Sequence, residues 1–366
     1  MNDNRLELVE KVMGDIKGRA RWEERQSIWY KMRHQGLRRK NKPWPHASDL
    51  HFPLADSIIE RLKPFYFMQI SGMDVLSSFV PMRQQDGGTT LMAEQWFDYH
   101  MKENTNFMTE ALSWIDHCLM TGRSVLKVYW DAKKKQVHFD SIDPLMLIVP
   151  YSTKKLQDAD RIVQVMQYTH DSFKNSPFFE EGMLVELMNL KAKVANSNEK
   201  EQSTFRREGI TYHTDEDKII VWEVYEREGE NINVTTFCPE VPELELRPEL
   251  ELNYNHGQFP FVDFAYEIKD KGWYSPRGVC EIVAPHEASL CKLWNDKQDA
   301  MTLYNRPLFR AERDIPNAAN IRMKPAQILP IGVAPVAQPQ PPISFDTEMN
   351  ATRQIAEQRI GMPDFG

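Results

Sequence analysis

Asp140 and Asp143 sit three residues apart in the stretch HFDSIDP. Two carboxylates at that spacing can share a divalent cation, and a cation held that way activates water against a phosphodiester. The competing role is local: Asp143 precedes Pro144, and an aspartate there turns the chain by hydrogen-bonding its own backbone. The other candidates for chemistry are weaker. His286-Glu287 begins like a zinc-binding HExxH helix but lacks the second histidine. Asp215-Glu216-Asp217 reads as a solvated loop. Gly87-Gly88 is followed by no Lys-Ser/Thr pair, so it is no phosphate cradle. No Walker loop, GxGxxG, GxSxG or HExxH motif occurs in the 366 residues. The four cysteines, Cys118, Cys238, Cys280 and Cys291, form no CxxC pair and have no zinc-like spacing to histidine, which reads as free thiols in a reducing compartment. No cofactor and no metal are called for by these residues. A metal-dependent nucleic-acid-processing enzyme built on Asp140 and Asp143 stays as an alternative.

Net charge is −8 and unevenly spread. Lys11–Lys42 carries eleven Lys/Arg against three Asp/Glu, whereas Asp215–Glu251 carries twelve Asp/Glu against three Lys/Arg. An acidic whole argues against tight coating of nucleic acid, which rests on many cationic phosphate contacts. The basic run, with Arg38, Arg39 and Lys40 at its end, can lie near DNA or form a solvated helix face. Trp22, Trp29 and Trp44 lie amid those basic residues. They can stack on bases or anchor packing in the core or between subunits. No strand carries paired exposed aromatics of the kind base-stacking sheets use, which favours packing. No apolar run reaches the length of a membrane span. The N-terminus has no apolar signal core, so secretion is not expected.

The elements that must position these residues follow from periodicity. The length allows two or three domains and a sizeable core, and the mix of helical and strand segments that follows reads as α+β. Residues 5–35 repeat apolar side chains at helical spacing and stop at Gly36. KPWPHASDLHFPLADSIIE follows: prolines hold their predecessors extended, Ser48 and Asp49 turn the chain, and a helix carrying Ile58, Ile59 and Leu62 should end before Pro64. Residues 91–120 read as a helical face, interrupted near Asn104–Asn106 and stopped by Gly122. SVLKVYW and VHFDSI form a hairpin. IDPLMLIVP is extended and buried, and 174–217 is irregular with a short helix near 182–190. Ile219–Tyr225 is a strand with a partner at Asn231–Phe237. Val241–Asn253 is acidic and proline-punctuated, without a strand assignment. Phe259–Glu267 is a strand at an edge or a strand start, because of Pro260. Gly278–Tyr304 is a long helix with a weak point at Pro285. Pro307–Pro342 holds eight prolines and reads as an extended hairpin or linker. Phe345–Ile360 is helical.

Four stretches and their order resemble the portal proteins of tailed bacteriophages. PWPHASDLHFPL resembles the family's early PxPGAS turn, with His46 where glycine is usual. Leu119–Trp130 resembles its helix–Gly–strand unit ending in Lys-Val-x-Trp. His256–Val262 resembles its HxxFPFV stretch. Gly278–Glu287 resembles its Gly-x-x-Glu-x-x-x-Pro-x-Gln helix, with Glu287 where glutamine is usual.

That resemblance implies a protein that is not an enzyme: a subunit of a ring of about twelve copies at one capsid vertex. Double-stranded DNA would pass through the ring during packaging and ejection. The implied partners are the terminase large subunit, later the head-completion and tail adaptor proteins, and the major capsid protein and scaffold, with assembly in the host cytoplasm and residence in the virion. Residues 1–270 would form a wing of helices and strands, 271–304 a first stem helix, 305–343 a proline-rich clip, and 344–366 a second stem helix and the start of a channel loop. Glu287, Asp296 and Asp299 would border the channel or subunit contacts, and Lys292 and Lys297 would pair across neighbours. Trp44, Pro45, Phe52 and Pro53 would anchor a stiff connector that fixes the angle between two wing helices. Arg38, Arg39 and Lys40 are the DNA-proximal candidates. Another phage head–tail connector is the second alternative.

Overall fold

The computed structural model describes residues 2–34, 36, 38–39, 41–74, 76–81, 83, 87–131, 135–176, 178–180, 182–197, 218–229, 231–252, 254, 256–305, 309–311, 333–336 and 344–361. Lys40, Asp215–Asp217, most of 307–342 and the last five residues lie outside the described set. Tertiary contacts divide the chain into two compact units. The first is Met1–Tyr30 with Ile59–Glu281, and the second is Lys31–Ile58 with Ile282–Gly366. The segment 31–58, assigned above to the wing, thus groups with the C-terminal part of the chain. The chain is mixed helix and sheet, as its α+β periodicities require.

Unit 1 is built on two antiparallel sheets. The smaller joins β1 (Arg123–Asp131), β2 (Gln136–Ile142) and β8 (Phe261–Ala265) in the order β2-β1-β8. The larger has the order β3-β4-β5-β6-β7, from β3 (Leu147–Ile148), β4 (Arg161–Thr169), β5 (Lys218–Glu228), β6 (Asn231–Cys238) and β7 (Val241–Leu252). The hairpin register sets Val125 opposite Ile142 and Asp131 opposite Gln136. β5 is buried on both faces, which is why IIVWEVY is apolar without clean alternation. On one face Trp222 and Val224 meet Leu8, Val9, Val12 and Ile16 of α1 (Asn2–His34). On the other, Tyr225 joins Val125, Ile142 and Phe261 from the small sheet, and Ile219 and Val221 join Phe173 and Leu187. Trp22 packs in that core, 5 % exposed and 5.0 Å from the Tyr274 ring, so it is a packing anchor and presents no face to a base. Buried Arg19 donates to the carbonyls of Leu147 (2.7 Å) and Leu145 (2.9 Å), satisfying backbone that the short strand β3 leaves open.

Two expectations need correction, and a segment left unassigned proves to be a strand. The helix α2 (Leu54–Ser71) runs through Pro64. The helix buries Leu54, Ala55, Ile58, Ile59 and Leu62 along one stripe, and that burial outweighs the missing backbone donor of Pro64. The long helix Val279–Asn305 likewise runs through Pro285. Val241–Leu252 is a full strand, on the rim of the larger sheet, where proline and outward carboxylates are tolerated and where β-bulges shift the register near Thr236 and Phe237. The expected break near Asn104 is present: α3 (Gly87–Tyr99) passes through a π turn at His100–Asn104 before α4 (Phe107–Thr121). A one-turn helix, α5 (His170–Lys174), and a longer one, α6 (Met183–Ser197), lie between β4 and β5, the second extending beyond the short helix expected near 182–190.

Helix α4 ends on Gly122, whose φ of 90° is the left-handed region and whose amide returns to the Cys118 carbonyl at 2.9 Å. Gly122 also abuts the start of the next motif. A Cβ on it would lie 2.4 Å from the Arg277 carbonyl carbon, and a Cβ on Gly278 would lie 2.3 Å from the Met120 carbonyl oxygen. Two backbones cross there with no room for a side chain on either.

Unit 2 holds the segment 31–58, most of the long helix α7 (Val279–Asn305), and α8 (Phe345–Ile360). Between the helices β9 (Phe309–Ala311) pairs antiparallel with β10 (Val333–Pro335), Pro335 opposite Phe309.

Candidate functional site: a backbone ladder on the long helix

Four residues of α7 fall on one face because each is four positions after the last: Glu287, Cys291, Asn295 and Asp299. Each accepts a backbone N–H from the connector, in antiparallel order. Glu287 Oε2 accepts from Ala55 (2.7 Å), Cys291 Sγ from Phe52 (3.3 Å), Asn295 Oδ1 from Leu50 (2.8 Å) and Asp299 Oδ1 from Ser48 (2.7 Å). The geometry explains the register. Four residues of helix rise about 6 Å, and two residues of extended chain span about 6.6 Å. From Ser48 to Phe52 the extended chain therefore keeps step with the helix stripe two residues per rung, and the last step, Phe52 to Ala55, takes three residues as the chain enters α2. Asn295 also donates Nδ2 to the Leu50 carbonyl (2.9 Å), so its amide closes a two-bond ring with the N–H and C=O of one residue, and Ser48 Oγ reaches Asn295 Oδ1 at 2.7 Å.

The two ends of the ladder differ. At the Asp299 end, Arg39 bridges two carboxylates: Nη1 to Asp299 Oδ2 (2.7 Å) and Nη2 to Asp296 Oδ1 (3.0 Å). The Arg39 amide donates to Asp49 (2.7 Å), and Lys42 adds an ion pair there (3.0 Å). The Arg39 amide, then Lys42, holds the Asp49 carboxyl below its ordinary value. At the Glu287 end the neighbour is a histidine. His51 Nε2 faces Glu287 Oε1 at 3.5 Å, and its Nδ1 lies 3.7 Å from Cys291 Sγ. Burial lifts the Glu287 carboxyl to about 7 against the pull of the Ala55 amide, with the Asp56 charge adding to the lift. Burial also pushes the Cys291 thiol up and the His51 imidazole down.

This arrangement relocates several residues expected to act elsewhere. Glu287 and Asp299 are buried, 2 % and 6 % exposed, and their oxygens bond the connector, the first turn of α2 and Arg39. Asp296 and Arg39 hold each other, so Arg39 is engaged within its own unit rather than free for a phosphate. Lys297 pairs with Asp346 of α8 at 2.6 Å within the same chain, and Lys292 is exposed. Arg38 is exposed, 3.7 Å from Asp49. Among the connector anchors, Trp44 is half-buried and its carbonyl closes the turn to the Ala47 amide (3.1 Å), Pro45 and Pro53 are exposed, and the Phe52 ring lies 6.2 Å from Trp294. His46, inside that turn, has φ of 68°.

Asp140 and Asp143 do not converge. Asp143 accepts from the Leu145 amide (2.9 Å) at the head of a short 3-10 turn, and Asp140 lies 3.4 Å from His138. Among the described residues, no three His, Cys, Asp or Glu side chains gather in a way that could hold a metal ion. Among the same residues no helix is long and apolar enough to cross a membrane. Sequence reasoning missed Cys291 and Asn295. Their signal was the four-residue spacing with Glu287 and Asp299 along one face of the helix.

Compared with models of known protein families the chain matches none, and a search of curated proteins finds no match either.

Proposed function

We propose that this chain is a portal-type subunit of a tailed bacteriophage: one copy in a ring through which double-stranded DNA is packaged and ejected. The observation that carries this reading is that the four stretches resembling the family's motifs touch one another in pairs. β8, from FPFV, pairs with β1, from Lys-Val-x-Trp, setting Phe261 opposite Lys127. Gly122 of the helix–Gly–strand unit abuts Gly278 of the long-helix motif. The PWPHASDLHFPL connector lies along that same helix. Stretches scattered over some 250 positions that meet in space form a structural framework rather than separate coincidences of wording. The succession of long helix, antiparallel pair and helix in the C-terminal part fits a stem, clip and returning stem.

In this reading the chain does mechanical work for the genome and no covalent chemistry. The ring is homo-oligomeric, its docking partners are the packaging terminase and then the head-completion and tail proteins, and its place is the capsid vertex. The ladder's role is to set the angle at which the chain leaves α1 and enters α2, which a ring of identical subunits must hold constant. The nuclease alternative has less support, since Asp143 accepts from the Leu145 amide while Asp140 faces His138.

Negative-stain electron microscopy of the purified full chain tests the proposal. Class averages should show rings of about twelve-fold symmetry with an opening wide enough for duplex DNA. A chain that stays monomeric and cleaves DNA with magnesium would overturn it.

A further inference from the structure

We propose that the Glu287–His51 end of the ladder is a proton-operated latch: with one proton held between the two side chains the connector stays docked on α7, and loss of that proton loosens it. The geometry carries this. Glu287 Oε2 is committed to the Ala55 amide, at the first turn of α2. Glu287 Oε1, equally buried, makes no hydrogen bond among the described residues and faces the imidazole nitrogen at 3.5 Å, while the Leu54 amide joins that of Ala55 in drawing on the carboxyl. Among the described residues of unit 2, no lysine or arginine stands where Arg39 stands at the other end. The groups around the carboxyl are few: His51 from the connector, Asp56 from α2, and Cys291 from the next turn of α7, with Arg33 of α1 turned to Asp56 at 3.2 Å. The imidazole also bonds to the Met32 backbone of α1. The bond to Met32 favours the protonated ring, so the imidazole donates there, and the nitrogen left facing Glu287 is the one that carries the lone pair. A lone pair and a carboxylate oxygen that face each other in a dry site call for a proton between them. Protonated glutamate has the shape of glutamine and keeps the acceptor that Ala55 needs.

The direction of the response follows. Burial, helped by Asp56, lifts the Glu287 carboxyl from an unfolded value near 4.5 to about 7, so the docked chain holds an extra proton between those values. Docking is therefore strongest at the acid side of that window and weakens as pH climbs through about 7. His51 works in the opposite sense. Burial holds its imidazole below 6.5, so a second proton is resisted and acid tightens the latch no further. The inference concerns unit 2 alone and stands whether or not the chain forms a ring.

Amide hydrogen exchange of the full chain, read on peptides covering 48–57 and corrected for the intrinsic rate, is the test. With His51 opposing Glu287, protection of the Leu50, Phe52 and Ala55 amides should fall roughly two- to fivefold between pH 6 and pH 8. In Glu287→Gln it should stay flat, because the amide keeps the Ala55 acceptor and donates to His51. The same fall in both chains would overturn the latch. A second variant covers the case in which Glu287→Gln fails to fold. In Asp56→Asn the fall should move to lower pH, since the charge nearest Glu287 is gone, and an unmoved midpoint would equally overturn it.

Discussion

The glycine crossing in unit 1 and the ladder in unit 2 both hold distant stretches of chain together, by opposite means. At the crossing nothing is attractive in itself. Two backbones lie so close that a methyl group on either would sit 2.3–2.4 Å from a backbone atom of the other stretch. At the ladder every rung is a polar bond between a side chain and a backbone amide. The first is a constraint on shape that only glycine satisfies. The second is a constraint on acceptors, which several residue types satisfy: a carboxylate, a thiol and an amide serve on successive rungs. The crossing should therefore tolerate no substitution, whereas the ladder should tolerate those that keep an acceptor in place.

The sharpest way to break that contrast is Gly278→Ala. The added methyl collides with the Met120 carbonyl, and neither backbone is free to retreat, so we expect a loss of ~3 kcal/mol or more. Gly122→Ala should be at least as costly, because its φ of 90° adds left-handed strain to the collision. Chemical denaturation followed by circular dichroism reads both. A loss below about 1 kcal/mol in either would show that the crossing gives way easily.

Asp299→Ala comes next. It removes the acceptor for the Ser48 amide and one of the two carboxylates that hold Arg39. The site is nearly closed to water, so the amide and part of the guanidinium lose their partners, at a cost of about 2–3 kcal/mol. Asp299→Asn keeps the Ser48 acceptor and should lose less. Equal losses for the two variants would mean that the ion pair, and not the rung, is what holds this end.

How much of this could be read in the sequence depended on the range of the interaction. The hairpin of β1 and β2 and the strand β5 were visible, because alternation and β-branched runs are local signals. Pro64 and Pro285 were misleading in the direction of stopping helices. The penalty of an interior proline, ~3 kcal/mol, is local, whereas what outweighs it is burial and pairing along the rest of the helix. β7 stayed hidden because Pro242, Pro248 and its glutamates suit only the rim of a sheet, and rim position is a tertiary fact. The connector was recognised as stiff, and Glu287, Asp296 and Asp299 as notable. Their joining was not readable, since the rungs link residues 232 to 251 positions apart and use three side-chain chemistries. A stripe of polar residues every fourth position says that something polar packs there, without saying what.

The smallest expected effect tests the connector from within. His46 sits between Pro45 and Ala47 with φ of 68°, a conformation in which a Cβ crowds the following carbonyl and which glycine adopts freely. The His46 side chain is exposed and carries none of the ladder's rungs. Replacing it by glycine removes the left-handed strain, worth ~1–2 kcal/mol. It also enlarges the freedom of the unfolded chain, which offsets up to about 1 kcal/mol of that gain. The net should be a stabilisation of a few tenths to about 1 kcal/mol, with the ladder amides more protected from exchange. His46→Ala keeps the Cβ and should gain nothing. If glycine and alanine were equally stabilising, the imidazole itself would be the unfavourable element, and the turn's backbone would carry no strain for glycine to relieve.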